Sequence, residues 1–444
     1  MNQLLKYFGT DGIRGSYGGK IINEDFAFSL GKAISVHFQK KHHQTSFLLA
    51  RDTRTSGESL LNALRCGLRE MNSESEDLGV LPTPALAFSV TASDQCIGIM
   101  ITASHNHHSD NGFKIISSQG GKLSQNEETQ IESVLEPNKF PSPISNLLPN
   151  DQVKYVEQYS QNLLSKFESA FLKGLKIVVD LSNGATRQVT PRILQEFGAE
   201  VIPINQRNGL INNEVGSEFV SGLGQKVLET NADLGFAHDG DGDRVIFVSE
   251  KGNEIPGDQI LGMLALHNKK KQTLKGNGFV ATIHSNSGLE DAMNKNGLQL
   301  HRADVGDRNV FALMKSLKCN WGGESSGHII CTDYLNTGDG LFSALSVLQC
   351  IQSSKKKITE LCKPIKLWPS YSGAVVVEEK KPLEDLKELQ DCLKEVKAGF
   401  NGKGRVLVRY SGTESKVRIL VESKSSESAQ ESYLRISQTF TDFY

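Results

Sequence analysis

Short apolar runs that end in polar, glycine-containing turns recur along the chain. Four of them cover residues 47–50, 176–180, 234–237 and 279–283. Short continuous apolar runs are typical of strands that are buried on both faces, as in parallel sheets. Because ligands bind beyond the carboxyl ends of such strands, we expect the chemistry of this protein to lie in the turns that follow them.

Helical periodicity fills much of the chain between these runs. An apolar stripe at helical spacing, from Phe26 to His37, follows the favourable N-cap residue Asn23. Shorter helices are predicted over 191–197 and 289–294. The alternation of strands and helices predicts layered α/β domains, and the first three units look like a divergent repeat.

The last stretch of the chain has a different pattern. Strands are predicted over 373–377, 405–408 and 417–421. Long helices do not separate all of them, and a terminal helix is predicted over about 426–440. This pattern indicates a small α+β domain. The best domain boundaries are the proline-rich segment 137–149 and the segment 354–369.

The composition excludes several classes of protein. The 444 residues include 49 Lys+Arg and 51 Asp+Glu, for a formal net charge of −2, which argues against a nucleic-acid-binding surface and an acidic tail. No apolar window approaches the ~18 residues of a transmembrane helix, and the N-terminus lacks the pattern of a signal peptide. Seven cysteines without a CxxC pair indicate reduced thiols. We therefore expect a cytoplasmic protein that binds neither nucleic acid nor membrane.

A serine lies directly after the strand predicted over 96–101, in the segment Thr-Ala-Ser-His-Asn. Ser104 beside His105 can be an activated nucleophile or a phosphate carrier. Lys114 follows and offers a cation or, if desolvated, an acid or base. An ordinary polar turn, in which Ser104 bonds the backbone, is the alternative that these residue types alone favour.

Three carboxylates alternate with glycine in the segment 239–244, Asp-Gly-Asp-Gly-Asp-Arg. Asp239, Asp241 and Asp243 would repel one another strongly without a cation, and oxygen ligands suit Mg²⁺ or Ca²⁺ rather than zinc. An EF-hand loop needs glycine at its sixth position, which is Arg244 here, and no helix is predicted before the segment. We therefore predict a Mg²⁺ site, with a solvated acidic turn as the alternative.

A glycine-rich loop at 322–328 reads Gly-Gly-Glu-Ser-Ser-Gly-His and contains G-x-S-x-G centred on Ser325. A hydrolase nucleophile elbow with that motif lies between a strand and a helix, but the residues after this loop predict a second strand. The side chains that would instead bind a polyhydroxylated ligand are Glu324, Ser326 and His328. An ordinary glycine-rich hairpin fits the pattern equally well.

A turn at 409–415, Arg-Tyr-Ser-Gly-Thr-Glu-Ser, completes the set of candidate loops. Two guanidinium groups, two hydroxyl groups and backbone amides make a candidate phosphate cradle. Its members are Arg409, Ser411, Gly412, Thr413 and Arg418. The segment is neither a Walker A motif nor GxGxxG, so it implies no nucleotide. The alternative is a surface turn with exposed arginines.

These loops together indicate phosphoryl transfer. A serine able to carry phosphate, a metal-binding triad and a separate phosphate cradle imply transfer to or from a phosphorylated small molecule. The loop that suits a polyhydroxylated ligand suggests a sugar. Because the sequence has no ATP-binding motif, Ser104 would supply the phosphate itself.

The chain resembles the α-D-phosphohexomutase superfamily from Tyr7 to its terminal helix. The motifs occur in the order of that superfamily: GTDGIRG, TASHN with NGFK, DGDGDR, GGESSGH and RYSGTE. The segments 208–212, 285–289, 305–308 and 337–340 resemble its glucosamine-phosphate branch. Two motifs depart from the usual pattern, SHNHH in place of SHNP and GTES in place of GTEP. The loss of proline should loosen both turns slightly.

The resemblance implies a role for each candidate residue. Ser104 would be a phosphoserine, and its phosphate would hold Mg²⁺ together with the three aspartates. Lys114 and His105 would handle protons, and Arg14 and Arg244 would lie near the transferred phosphate. Sugar hydroxyl groups would be bound by Glu324, Ser326 and His328. The five residues of the cradle would hold the phosphate that is not transferred.

The resemblance also implies an α/β fold with four domains around a central cleft, three similar α/β domains with mixed sheets and a C-terminal α+β domain. We place these domains at 1–148, 149–250, 251–366 and 367–444. The implied reaction interconverts glucosamine 6-phosphate and glucosamine 1-phosphate through a sugar 1,6-bisphosphate, which is also the expected activator, and feeds UDP-N-acetylglucosamine synthesis. The alternative is a phosphomannomutase/phosphoglucomutase that acts on hexose phosphates. A small-molecule sugar phosphate is the expected partner, and a homodimer is allowed for.

Overall fold

A computed structural model describes residues 5–40, 45–94, 96–141, 152–207, 209–411 and 415–441. The chain forms two compact units, each built from two stretches of sequence. Unit 1 comprises Met1–His284 and Leu300–Lys363. Unit 2 comprises Ser285–Gln299 and Pro364–Tyr444.

The first sheet of unit 1 has five strands. They are β1 (Ile13–Ser16), β2 (Ser46–Arg51), β3 (Ser75–Val80), β4 (Cys96–Ile101) and β5 (Asp110–Ile116). The helices of this region are α1 (Glu24–Gln39), α2 (Gly57–Glu70), α3 (Thr83–Thr91) and α4 (Gln125–Ser133). The strand order is β1-β5-β4-β2-β3, with β2 parallel to β3 and β4, and β5 antiparallel to β4 and β1. As predicted, Asn23 caps α1, and its side chain accepts a hydrogen bond from the N–H of Phe26 (2.9 Å).

The second sheet of unit 1 also has five strands. They are β6 (Lys176–Asp180), β7 (Glu200–Ile204), β8 (Leu234–His238), β9 (Val245–Ser249) and β10 (Glu254–Ile255). The helices are α5 (Gln152–Leu164), α6 (Thr190–Glu196) and α7 (Ser221–Thr230), with a short 3₁₀ helix at Ala185–Gln188. The order is β10-β9-β8-β6-β7, with β6 parallel to β7 and β8, and β9 antiparallel to β8 and β10.

The third sheet has four strands. They are β11 (Gly278–Thr282), β12 (Gln299–Ala303), β13 (Trp321–Gly323) and β14 (Ile329–Cys331), in the order β12-β11-β13-β14. Strand β13 is parallel to β11 and antiparallel to β14. The helices of this stretch are α8 (Gly257–Lys270), α9 (Ser287–Lys295), α10 (Asp307–Leu317), α11 (Gly340–Ser354) and α12 (Ile358–Cys362). Helix α9 belongs to unit 2.

One strand order recurs in all three sheets. It is β3-β2-β4-β5 in the first, β7-β6-β8-β9 in the second and β12-β11-β13-β14 in the third. The predicted repeat is therefore visible in the topology. A candidate loop joins the last two strands of each set: 102–106 lies between β4 and β5, 239–244 between β8 and β9, and 324–328 between β13 and β14. Three loops that are far apart in sequence thus occupy equivalent places in three copies of one motif.

Unit 2 contains a three-stranded antiparallel sheet. Its strands are β15 (Ser370–Val376), β16 (Gly404–Tyr410) and β17 (Lys416–Ser423), in the order β15-β17-β16. Its helices, besides α9, are α13 (Lys387–Gly399) and the predicted terminal helix α14 (Ser426–Thr441), with a 3₁₀ turn at Leu383–Asp385. Helix α13 was not predicted, although its buried positions, Leu389, Cys392 and Val396, have helical spacing.

The four sheets confirm the predicted fold class, three α/β domains with mixed sheets followed by a small α+β domain. The central cleft and the domain boundaries stay predictions. All seven cysteines are buried free thiols. Within the described ranges, no helix is both long enough and apolar enough to span a membrane.

Candidate active site

The serine loop, residues 102–106, turns the chain from β4 into β5. Ser104 is fully buried and its backbone is left-handed, with φ of +52°. Non-glycine residues rarely adopt this conformation without support. Here the Ser104 N–H donates to Oγ1 of Thr102 (2.8 Å), and the Thr102 hydroxyl donates to Oδ2 of Asp52 (2.6 Å). The Ser104 hydroxyl in turn donates to Oδ2 of Asp239 (2.6 Å). This bond joins the serine, which follows a strand of the first sheet, to a carboxylate that follows a strand of the second sheet.

Arg54 holds the serine loop through the loop's own backbone. Its Nη1 donates to the carbonyl oxygens of His107 (2.5 Å) and Asp110 (2.8 Å). Its Nη2 donates to those of Ser104 (3.1 Å) and Asn106 (2.8 Å). Sequence analysis did not select Arg54. The available signal was its position just after β2, the strand that is parallel to β4.

Asn212 contacts the same loop from the domain of the second sheet. Its Nδ2 donates to the carbonyl oxygens of Ser104 (2.6 Å) and Asn106 (3.0 Å). Its Oδ1 accepts from the Ser182 hydroxyl (2.5 Å), which fixes the orientation of the amide. Asn212 belongs to the segment 208–212 that supported the resemblance; residue 208 itself lies outside the described residues.

The metal loop, residues 239–244, joins β8 to β9. Because strands flank it on both sides, an EF-hand is excluded. Carboxylate oxygens of Asp239, Asp241 and Asp243 lie within 4.8 Å of one another, and all three side chains are buried. The triad is therefore a preformed group of oxygen ligands and not a solvated acidic turn.

Thr83 and Lys114, two residues of the first domain, donate hydrogen bonds to carboxylate oxygens of this triad. Oδ2 of Asp241 accepts from the Thr83 hydroxyl (2.5 Å) and from Nζ of Lys114 (2.7 Å), and Oδ2 of Asp243 accepts from the same Nζ (2.6 Å). Oδ1 of Asp241 and Oδ1 of Asp243 are buried and have no hydrogen-bond partner. Two orphaned carboxylate oxygens beside a third carboxylate fit a divalent cation that prefers oxygen ligands.

Asp239 supplies the third side of the triad. Its Oδ1 accepts from the backbone N–H groups of Gly242 (3.1 Å) and Arg244 (3.2 Å), while its Oδ2 faces Ser104. Gly240 is needed at this crossing because a Cβ there would lie 2.8 Å from the carbonyl oxygen of Ser104. The close approach of the two loops thus depends on Gly240.

The buried charges shift the pKa values of Asp239 and Asp243 in opposite directions. Burial raises the pKa of Asp239 well above its ordinary value, and the carboxylates of Asp243 and Asp241 raise it further. Burial would also raise the pKa of Asp243, but Lys114 and His328 outweigh it and hold that pKa well below the usual range. Burial disfavours the charged form of Lys114, yet Asp241 and Asp243 raise its pKa above the ordinary value. Lys114 is therefore an ammonium group that compensates the triad.

His105 lies beside the serine hydroxyl. Its Nδ1 is 3.3 Å from Oγ of Ser104. Burial, followed by the positive charges of Arg244 and Arg14, lowers the pKa of His105 to about 3. The imidazole is therefore neutral at physiological pH, and one ring nitrogen is able to accept a proton or a hydrogen bond.

Arg14 and Arg244 place two guanidinium groups around this centre. Nε of each is buried and has no hydrogen-bond partner. Nη1 of Arg14 donates to Oδ1 of Asn106 (3.1 Å), and Arg14 also pairs with Asp11. Nη1 of Arg244 lies 3.7 Å from Oε1 of Glu218. Both arginines act on the His105 pKa, so they are close to the serine loop. Unpartnered buried donors next to a serine suit an incoming phosphate group.

The sugar loop, residues 322–328, forms the turn of the β13–β14 hairpin. A strand and not a helix follows it, so Ser325 is not a nucleophile elbow. Glu324 accepts from the Gly306 N–H (3.1 Å), and Glu324 and Ser326 are partly exposed. Val245 of β9 donates its N–H to the carbonyl oxygen of Gly327 (3.1 Å), which ties the loop to the end of the metal loop.

His328 connects the sugar loop to the metal loop. The side chain is buried, with Nδ1 3.6 Å from Oδ1 of Asp243 and Nε2 3.3 Å from Oδ2 of Asp307. Burial opposes the charged ring, but Asp243 and Asp307 outweigh it and raise the pKa of His328. Nε2 also lies 3.1 Å from N of Gly338. A neutral ring accepts from that N–H, whereas a protonated ring donates to Asp307.

The phosphate cradle lies in unit 2. Arg409 of β16 and Arg418 of β17 are directly opposite each other in the antiparallel ladder. Burial and the charge of Arg418 lower the pKa of Arg409. Ser411 is buried, and its carbonyl oxygen accepts from Lys380 (2.7 Å). Gly412 and Thr413 lie outside the described residues.

Four family models match consecutive parts of the chain. They are the phosphoglucomutase/phosphomannomutase α/β/α domains I (residues 5–142), II (154–252) and III (256–368) and the C-terminal domain of the same family (374–436). The chain therefore belongs to the phosphoglucomutase/phosphomannomutase class, which confirms the resemblance seen in the sequence.

Similarity to individual known proteins identifies one family within this class. The chain is 42% identical over 426 residues to the phosphoglucosamine mutase of Bartonella bacilliformis, covering 94% of each chain, and it belongs to the phosphoglucosamine mutase family. Two solved structures share its fold. One is a phosphoglucomutase/phosphomannomutase family protein from Burkholderia thailandensis (TM-score 0.80, 22% identity, 97% of each chain covered). The other is the N-acetylphosphoglucosamine mutase of Aspergillus fumigatus, in complex with GlcNAc-6P and magnesium (TM-score 0.67, 17% identity, 93% of this chain and 96% of that one).

Proposed function

We propose that the protein interconverts glucosamine 6-phosphate and glucosamine 1-phosphate, with Ser104 as the phosphate carrier. The observation that carries the proposal is the 2.6 Å hydrogen bond from Ser104 to Asp239, which joins a buried serine to a triad of carboxylates. The mutase family of the chain and the arginines around the serine support the same reaction. A phosphomannomutase/phosphoglucomutase is not favoured, since the curated relative named above is a phosphoglucosamine mutase.

The triad would hold Mg²⁺ through Asp239, Asp241 and Asp243, together with the phosphate of Ser104. The orphaned oxygens of Asp241 and Asp243 support this assignment. When bound, the cation would neutralise negative charge that develops on the transferred phosphoryl group. Lys114 and Thr83 hold the other oxygens of the carboxylates and so orient them.

Thr83→Val is expected to weaken Mg²⁺ binding about tenfold or more, because it removes the hydroxyl that orients Asp241 and keeps the shape of the side chain. Titration calorimetry with Mg²⁺ measures the effect. Thr83→Ser retains a hydroxyl and should bind Mg²⁺ nearly as well as the unmodified protein. Equal affinity of the valine and serine variants would contradict the assigned role.

Two transfers at Ser104 complete the reaction. In the first, the Oγ–P bond of phosphoserine breaks, a free sugar hydroxyl gains the phosphoryl group, and the hydroxyl proton ends on Oγ. The sugar is then a 1,6-bisphosphate. After it turns over, Oγ of Ser104 bonds to the other phosphorus, the O–P bond between that phosphorus and the sugar breaks, and the Oγ proton ends on the sugar oxygen that is released. These steps are substitutions at phosphorus, so positioning and charge compensation carry most of the catalysis.

His105 and Lys114 would have different roles in proton transfer. His105 is neutral and 3.3 Å from Oγ, so we assign it proton acceptance. Lys114 is an ammonium group and offers a proton or a positive charge. Arg14 and Arg244 would bind the phosphoryl group in transit. Sugar hydroxyl groups would be bound by Glu324, Ser326 and His328, as the resemblance implies.

The activator, the location and the metabolic role of the protein are also proposals. We propose a sugar 1,6-bisphosphate as the activator, a cytoplasmic location and a role in supplying UDP-N-acetylglucosamine synthesis. A homodimer stays a prediction from the resemblance.

A comparison of three substrates tests the function. Purified protein, activated with glucose 1,6-bisphosphate, would be assayed with the 6-phosphates of glucosamine, glucose and mannose. We expect the highest kcat/KM with glucosamine 6-phosphate. A higher kcat/KM with mannose or glucose phosphate would overturn the proposal in favour of the hexose-phosphate alternative.

Arg418→Ala is expected to weaken binding of both glucosamine 1-phosphate and glucosamine 6-phosphate. The cradle would hold whichever phosphate is not transferred, so each isomer uses it in turn. A charge-assisted contact is worth about 1.5–3 kcal/mol, or roughly ten- to a hundredfold in affinity. Calorimetry with each isomer gives the measurement, and Arg435→Ala, an exposed arginine of the same unit paired with Glu395, is the control. Loss of affinity for one isomer alone would rule out the two-orientation scheme.

A further inference from the structure

Lys122 is a partly buried cation, with its side chain 12% exposed, that sequence analysis did not select. It lies between β5 and α4, in the first domain. Its Nζ is 2.6 Å from Oδ1 of Asp307, the first residue of α10, and also pairs with Asp11. Asp307 is 7% exposed, and its other oxygen, Oδ2, is the one that faces His328.

These contacts form a series of alternating basic and acidic side chains. From the first domain it runs through Lys122, Asp307, His328 and Asp243, and it ends at Lys114. Each link joins residues that are far apart in sequence. The series therefore connects the sugar loop to the metal loop on one side and to the first domain on the other.

We propose that Lys122 and Asp307 are positioning residues for His328, and that they act on phosphoryl transfer by fixing the direction of its imidazole ring. The proposal rests on the proposed function for its catalytic consequence, but its structural part stands on the contacts alone. Lys122 was not among the candidates that the sequence suggested, whereas Asp307 belongs to the segment 305–308 that supported the resemblance.

The space around His328 explains why a partner on each edge of the ring is needed. Gly338 packs against the ring so closely that a Cβ there would lie 2.5 Å from Nε2. The ring is thereby confined between Asp243, 3.6 Å from Nδ1, and two groups at Nε2, the Gly338 N–H (3.1 Å) and the Asp307 carboxylate (3.3 Å). Asp307 can stay buried and ionised at that place because Lys122 compensates its charge.

A second ion pair between the first domain and α10 gives a matched control. Arg308, the next residue of α10, donates from Nη1 to the buried Glu128 of α4 (2.8 Å) and forms a second bond to it from Nη2. In the described part of the chain no hydrogen bond or ion pair joins Arg308 to His328. Both pairs link the first domain to α10, but only the Lys122–Asp307 pair leads to the imidazole.

The test compares Lys122→Met with Arg308→Met. Both variants should melt at lower temperature than the unmodified protein. Only Lys122→Met should lower kcat, by about ten- to a hundredfold as for other residues that orient a site, and Lys122→Arg should restore most of it. The double variant Lys122→Met/Asp307→Asn removes both charges, which protects the fold, but it should keep the low kcat because His328 has lost the carboxylate at its Nε2.

Two further readouts separate positioning from general destabilisation. The imidazole NMR signal of His328, assigned from its loss in His328→Gln, should shift in Lys122→Met and stay unchanged in Arg308→Met. In a double-mutant cycle, His328→Gln should lower kcat much less in the Lys122→Met background than alone. Equal kcat losses in Lys122→Met and Arg308→Met, an unshifted signal, or additive effects would each overturn the proposal.

The NMR comparison needs no substrate, so it also distinguishes this proposal from the proposed function. If the protein preferred another hexose phosphate, the function would be wrong and the kcat comparison would be repeated with that sugar. An unshifted His328 signal with full mutase activity on glucosamine phosphates would overturn the positioning role and leave the function intact.

Discussion

Ser104→Ala is expected to abolish interconversion of the two glucosamine phosphates, lowering kcat by roughly 10⁴-fold or more, as for removal of other catalytic nucleophiles. Within the described residues two hydroxyl groups bond to the carboxylate triad, Thr83 to Asp241 and Ser104 to Asp239, and Ser104 Oγ also lies beside the neutral imidazole of His105. The coupled assay measures activity, and intact-mass spectrometry measures phosphate on the protein after incubation with glucose 1,6-bisphosphate. The variant should show no added mass of one phosphate.

A matched serine variant makes this result specific. Ser325→Ala removes the hydroxyl of the G-x-S-x-G sequence and should retain mutase activity, because its loop lies between two strands and lacks the setting of a nucleophile elbow. Both variants should keep the circular dichroism spectrum of the unmodified protein. Near-normal turnover by Ser104→Ala, with no turnover by Ser325→Ala, would move the phosphate carrier to the sugar loop.

Removal of divalent cations is expected to stop the reaction almost completely while leaving the protein folded. The three buried carboxylates repel one another when no divalent cation is bound, but Lys114 bonds to two of them, which keeps the metal loop in place. Dialysis against EDTA, followed by the coupled assay and a thermal melt, gives the measurement. Added Mg²⁺ should restore activity and raise the melting temperature as its concentration exceeds the dissociation constant.

The outcome of adding back Ca²⁺ sharpens the same experiment. Ca²⁺ prefers more ligands and longer distances than Mg²⁺, so it should bind the triad without restoring full activity. Full activity after exhaustive chelation would contradict a metal role for Asp239, Asp241 and Asp243. An unfolded protein after chelation would show instead that the cation is structural.

The sequence located the candidate loops because each of them follows a short apolar strand. The strand-then-turn pattern predicted the places of Ser104 and Asp239, and motif order supplied the family. Contacts within a few residues, such as Asn23 with the start of α1, were predictable for the same reason. Local spacing carries the information in all of these cases.

The residues that support the site could not be found in this way. Thr83 bonds to Asp241 across 158 positions, Lys122 to Asp307 across 185, and Arg54 to the Ser104 carbonyl across 50. These pairings depend on how three sheets are brought together, and no periodic pattern in one segment encodes that arrangement. Helix α13 was not predicted for a different reason. About half of its residues are charged, and only three apolar positions mark its buried side.

The attachment of the serine loop to Arg54 and Asn212 has a consequence for the intermediate. Both side chains bond to backbone oxygens of the loop, one from each of two domains, so the loop has little freedom left to lose when a ligand arrives. The bisphosphate alone must then change its orientation between the two transfers, because the serine that it faces does not move. Amide hydrogen exchange should accordingly be slow across 102–106 in the free protein and remain equally slow with the bisphosphate bound.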